Sequence, residues 1–196
     1  MNWRKINMGL DMYLTKRKYV GAQYEHREVK GSIYITIKGK ELPIDFNKVS
    51  YIEEDIGYWR KANQIHDWFV RNYANGEDNC RPIYLELEDL KKLLDVCKKV
   101  RKSIKLVDGK VIQSYSFNEQ GEKVITWMDG KVVEDTSVCE ELLPTCNGFF
   151  FGDTEYNEWY VEQIDYTIKM LKEVIKEEEK MRENDIYNDF YYCASW

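Results

Sequence analysis

Residues 157–182 place Tyr160, Ile164, Ile168, Leu171 and Ile175 three or four positions apart, the stripe of a long amphipathic helix. A helix of this length gains most of its stability from packing, so the rest of the chain must supply a broad apolar surface to meet it. The sequence offers one as alternating strands. Leu10, Met12 and Leu14 fall on one side of residues 9–20, and residues 32–37 alternate β-branched side chains. Residues 42–46 read as a further short strand, confined to an edge by Pro43. Residues 111–117 and 123–128 read as strands around Asn118–Gly121, and residues 131–134 as a return strand after Asp129-Gly130, a dipeptide that favours tight hairpins. Asp108-Gly109 reads as a turn. Residues 49–56 do not decide between strand and helix.

Two more helices are expected. Residues 58–73 carry Tyr58, Ala62, Ile65, Phe69 and Tyr73 at helical spacing, closed by Asn75-Gly76. Residues 85–104 carry the stripe Leu87, Leu90, Leu94, Cys97 and Val100. Together these elements predict an α+β fold, with an antiparallel sheet packed against about three helices. The chain of 196 residues suits a single domain over residues 1–185. Residues 186–196 form an aromatic tail. Leaving Phe190, Tyr191, Tyr192 and Trp196 exposed together is costly, so the tail is expected to dock on the body or on a partner chain, and a homo-oligomer is expected. Residues 176–180 are densely charged and are expected to project into solvent.

Charge and cysteine content exclude several function classes. The net charge is −6, and no basic stripe runs along the chain, which disfavours duplex nucleic acid as a partner. Residues 16–18 and 98–102 are short basic runs. Each reads as a solvated face or as a local patch for a small anion. The five cysteines include no CxxC pair, and the two histidines are too few for a His-rich metal site within one chain. No membrane-length apolar run and no leader-like N-terminus is present, so a cytoplasmic protein with reduced thiols is expected, with no membrane partner. Walker A, GxGxxG, GxSxG and HExxH motifs are all absent. Neither a cofactor nor a catalytic residue is assigned.

Two segments combine large aromatics with polar side chains. The first is residues 58–69. On a helix, Trp59, Asn63 and His66 share the face beside the apolar stripe. Trp59 suits stacking on a flat ring, Arg60 and Lys61 suit phosphate, and Asn63 and His66 suit polar edges. The same residues suit burial, with Trp59 and Trp68 under the sheet and His66 a satisfied half-buried histidine. The second segment is residues 148–160. Phe149, Phe150 and Phe151 read as a buried strand, and Gly152 permits a turn. Asp153 or Thr154 can cap the following helix, or can accept from ribose hydroxyls. Tyr156 completes the candidate ligand-binding set of Tyr58, Trp59, Arg60, Lys61, Asn63, His66, Asp153, Thr154 and Tyr156.

Gly9–Leu14 (GLDMYL), Tyr58–His66 (YWRKANQIH), and Leu142–Thr145 (LLPT) with Gly148–Tyr156 (GFFFGDTEY) resemble a family of small bacteriophage and prophage proteins. The resemblance touches three regions spread over most of the chain and carries over no functional residue. It implies a setting, namely an accessory protein acting against host defence in the host cytoplasm during infection. In that setting the candidate set is expected to sequester a small nucleotide-derived signalling ligand without turnover. A module that inhibits a host defence protein is the alternative. A metal-dependent nucleotide hydrolase using carboxylates and His66 is the third.

Overall fold

A computed structural model describes residues 9–21, 32–148 and 150–196. The fold is α+β, built on one four-stranded antiparallel sheet. Its strands are β1 (Asp11–Tyr19), β4 (Tyr51–Arg60), β5 (Ile83–Leu85) and β8 (Asp189–Ser195), ordered β4-β1-β8-β5. Two separate ribbons accompany it: β2 (Ile35–Ile37) with β3 (Lys40–Leu42), and β6 (Leu106–Phe117) with β7 (Lys123–Val133). The helices are α1 (Asn63–Tyr73), α2 (Leu87–Ser103), the short α3 (Ser137–Leu142) and α4 (Glu158–Arg182).

Strand alternation sorts the sheet into two faces. Met12, Leu14 and Lys16 of β1 point to the same side as Phe190, Tyr192 and Ala194 of β8, and all six are buried. Against them pack Ile65 and Phe69 of α1, Leu90 and Leu94 of α2, and Ile164 and Leu171 of α4. The last residues of the chain are thus an inner strand of the sheet, held between β1 and β5. Among the described residues no helix is long and apolar enough to cross a membrane.

Several sequence expectations need correction. The helix expected from residue 58 begins at Asn63, because Tyr58, Trp59 and Arg60 pair with Tyr13, Met12 and Asp11 as the end of β4. Lys61 interrupts the strand with a left-handed φ of 58°. Asp108-Gly109 and Asp129-Gly130 are not turns. Gly109 and Gly130 face each other in the β6–β7 ribbon. A Cβ on Gly109 would lie 2.5 Å from Val132 Cγ2, and one on Gly130 would lie 2.7 Å from Val111 Cγ2. The two glycines therefore make room for cross-strand valines, and the chain reverses at Asn118–Gly121 instead, where Gly121 has φ 79°. Phe150 and Phe151 lie in a loop rather than a strand, and Phe149 lies outside the described residues. Residues 43–46 form no strand.

The basic run at residues 16–18 offers no anion patch. Lys16 is buried and contacts Glu177 at 2.8 Å and Glu54 at 3.5 Å, Arg17 pairs with Glu53, and Lys18 bonds Glu54 at 2.7 Å. The charged end of α4 is likewise not wholly solvated. Glu178 is fully buried and accepts from the backbone N–H (3.1 Å) and side-chain amide (2.7 Å) of Asn188, which fixes the entry to β8.

The Glu54 carboxyl is held below its ordinary range, first by the hydrogen bond from Lys18 and then by the charges of Lys18 and Lys16, against the opposing effect of burial. A depressed folded-state value means that the carboxylate stabilises the fold above its unfolded value near 4.3. That stability is lost as pH falls through the folded value. Glu54→Gln is therefore expected to flatten the decline of the melting temperature below about pH 4.5. An unchanged acid slope in thermal melts would contradict this.

Candidate functional site

The two aromatic segments meet in space, and Asn63 joins them. Its side chain donates to the carbonyls of Phe151 (3.0 Å) and Asp153 (2.9 Å) and accepts from the N–H of Cys146 (3.0 Å). All the polar capacity of this buried amide that these groups can reach goes into holding the 146–153 loop against the start of α1. At the same junction the Lys61 N–H donates to Leu10 O at 2.8 Å, and the loop passes so close that a Cβ on Gly152 would lie 3.2 Å from Lys61 Cβ. Gly152 takes φ 92° there, a conformation that glycine adopts freely.

This junction forms one wall of an open cleft of about 820 Å³. Lys61, Gly148, Phe150, Gly152 and Asp153 line it from the junction and its loop. Gln113, Ser114 and Tyr115 line it from β6, and Trp159 from the first turn of α4. Trp159 is 47% exposed because it precedes the core-facing Tyr160 and points off the buried stripe of α4. The cleft thus combines aromatic rings, one ammonium, one carboxylate, two hydroxyls and amides.

Of the nine residues expected from sequence, two reach this cleft, Lys61 and Asp153. Trp59 is 1% exposed, and its indole N–H donates to Thr167 Oγ1 at 2.8 Å, so it stacks on no ligand. Tyr58 and Arg60 lie on the sheet face away from the helices, where the Tyr58 hydroxyl donates to Asp11. Asn63 is spent on the loop. Asp153 does not cap α4; its Oδ1 accepts from the Glu155 N–H (3.0 Å), and Asn157 is the cap, accepting from the Tyr160 N–H (3.2 Å). Thr154 is exposed outside the cleft, and its carbonyl accepts from the Thr145 hydroxyl. The Tyr156 ring packs edge-on against Tyr160, and its hydroxyl accepts from the Thr145 N–H.

His66 is buried and uses both ring nitrogens internally. Nε2 lies 3.0 Å from Asp78 Oδ2, and Nδ1 lies 2.7 Å from the Tyr192 hydroxyl. An ionised Asp78 only accepts, so Nε2 carries the hydrogen. In the neutral ring Nδ1 is then the acceptor and Tyr192 the donor. Burial, followed by the nearby Asp78 charge, raises the Tyr192 phenol well above its ordinary value, which keeps that donor in place. His66 therefore offers a ligand no free edge. The Cys146 thiol beside the junction is pushed up to about 12, chiefly by burial and then by Asp67 and Asp78, and is a poor nucleophile at neutral pH.

Sequence reasoning missed Tyr115, Gln113 and Ser114, which reach the cleft only through the ribbon, and it left Trp159 out of the set. The signal for Trp159 was its place one residue before the first apolar position of the stripe. Among the described residues no cluster of three or more His, Cys, Asp or Glu side chains is arranged to hold a metal ion. No family model, curated protein or solved structure matches this chain.

Proposed function

We propose that the protein captures a small nucleotide-derived ligand in the 820 Å³ cleft without turning it over. The observation that carries this reading is the presence of Trp159 and Tyr115 in one cleft with Lys61, Asp153, Gln113 and Ser114. An indole and a phenol supply flat stacking surfaces, and Lys61 supplies a cation for phosphate. Gln113 and Ser114 can address the polar edges of a base, and Asp153 can accept from ribose hydroxyls. Capture is favoured over hydrolysis because His66 is committed to Tyr192 and Asp78 and the Cys146 thiol is held protonated. We place this activity in the setting that the sequence resemblance implies, an accessory protein that removes a host signalling nucleotide during phage infection.

Native mass spectrometry with a panel of cyclic oligonucleotides and ADP-ribose derivatives tests the reading. A ligand recovered with unchanged mass after denaturation is expected. Base–aromatic stacking contributes about 1–3 kcal/mol, so Trp159→Ala should weaken binding by about tenfold or more while the melting temperature stays within roughly 2 °C. A ligand released with altered mass would point to the hydrolase instead. Unchanged affinity in Trp159→Ala would remove the cleft from consideration.

A further inference from the structure

The sheet face away from the helices carries a field of tyrosines. Register places Tyr13 opposite Tyr58, Tyr19 opposite Tyr51, and Tyr84 opposite Tyr191, and residues directly opposite in an antiparallel pair share a face. The corresponding ring centroids are 5.3, 5.9 and 5.7 Å apart. Tyr13 and Tyr58 are 38% and 44% exposed. Single exposed aromatics are ordinary, but a contiguous aromatic surface marks an interaction site.

The charges on this face indicate what it takes. Among the described strand residues, alternation and register put Asp11, Glu53, Asp55 and Asp189 there with Arg17 and Arg60, so carboxylates outnumber guanidiniums by four to two. That balance, on a chain of net charge −6, repels phosphate and favours a cationic partner. The face also contains an internal precedent. The Arg17 guanidinium lies 3.9 Å from the Tyr191 ring centroid and 4.8 Å from that of Tyr51, while its Nε bonds Glu53. Two tyrosines and one carboxylate already hold one arginine. The Tyr13–Tyr58 pair repeats the aromatic half of that arrangement. Asp55 is exposed and faces Thr15, the next outward position of β1 after Tyr13, and its side chain makes no ion pair or hydrogen bond with the described residues.

We infer that this face docks a basic protein segment, with an arginine of the partner seated on Tyr13 and Tyr58 and bonded to Asp55. Arginine suits the seat better than lysine because its planar guanidinium stacks on a ring while donating in a fork to a carboxylate. The surface is distinct from the cleft, so the inference does not depend on the capture reading.

The test titrates the full chain into a fluorescent arginine-rich peptide and into its lysine counterpart of equal charge, with fluorescence anisotropy as the readout. The arginine peptide is expected to bind, and the lysine peptide to bind several times more weakly. Tyr13→Thr and Asp55→Asn, each checked by thermal melting, should each weaken the arginine peptide by about tenfold. Tyr34→Thr, which alters an exposed tyrosine outside the four-stranded sheet, should not change binding. No binding, equal affinity for the two peptides, or indifference to the Tyr13 and Asp55 substitutions would overturn the inference. So would competition by single-stranded RNA for the same face, or self-association that those substitutions abolish in sedimentation experiments.

Discussion

Trp59→Ala is expected to cost about 3–5 kcal/mol of folding stability, the range for deleting a fully buried large aromatic. Trp59 is 1% exposed and packs among Phe69, Tyr166 and Tyr192 at centroid separations of 6.3, 6.3 and 6.5 Å. It ties β4 to α1, α4 and β8 at once, so the cavity left by alanine would open where four elements meet. The indole also donates to Thr167 Oγ1, which in turn donates to Gln163 O at 2.6 Å. Trp59→Phe keeps much of the ring and loses that bond, and a smaller cost of about 1–2 kcal/mol is expected. For a protein whose whole stability is about 5–15 kcal/mol, the alanine variant should melt on the order of 10 °C lower. Urea denaturation of both variants gives the values directly. A cost under about 1 kcal/mol for alanine would mean that Trp59 is not a keystone of this core.

The fate of Trp59 shows why the fold class was legible in the sequence and the site was not. The stripes of α2 and α4 and the alternation of β1 depend on burial on one side of one element, and local periodicity records that. Tyr58, Ala62, Ile65, Phe69 and Tyr73 also keep helical spacing, but the series runs across a strand–helix junction. Ala62 and Ile65 are buried by α1, whereas Trp59 is buried because β4 turns it inward, and Lys61 at φ 58° marks the break between the two. Nothing in the local spacing distinguishes these causes. Asp129-Gly130 misleads in a related way. A glycine can serve a tight turn or can clear space for a neighbour, and Val111 across the ribbon decides for space. The chemical content of the two dense segments was legible, but its division was not. Tertiary contacts commit His66 to Tyr192 and Asp78 and leave Lys61 and Asp153 at the cleft, while the ribbon brings Gln113, Ser114 and Tyr115 from a segment far away in sequence.

Asn63→Ala carries the second large expected effect, and it joins stability to binding. The substitution removes an amide that serves the carbonyls of Phe151 and Asp153 and the N–H of Cys146. Three backbone groups at a mostly buried junction then lose their partner, at about 1 kcal/mol each or somewhat more where water cannot reach, so a cost of about 2–4 kcal/mol is expected. Asn63→Asp should fare little better. A carboxylate can still accept from Cys146, but it cannot donate to the two carbonyls and places negative charge against them. The loop carrying Gly148, Gly152 and Asp153 would lose its anchor to α1, so amide exchange over residues 146–153 should accelerate in both variants. Ligand affinity in the cleft should fall with it, although Asn63 itself does not line the cleft. Trp159→Ala separates the two contributions, because it removes a cleft wall and leaves the anchor intact. Loss of affinity in both variants, with faster exchange only in Asn63→Ala, is the pattern expected if the junction builds the site. Full affinity in a destabilised Asn63→Ala would show that the loop holds its place without the amide.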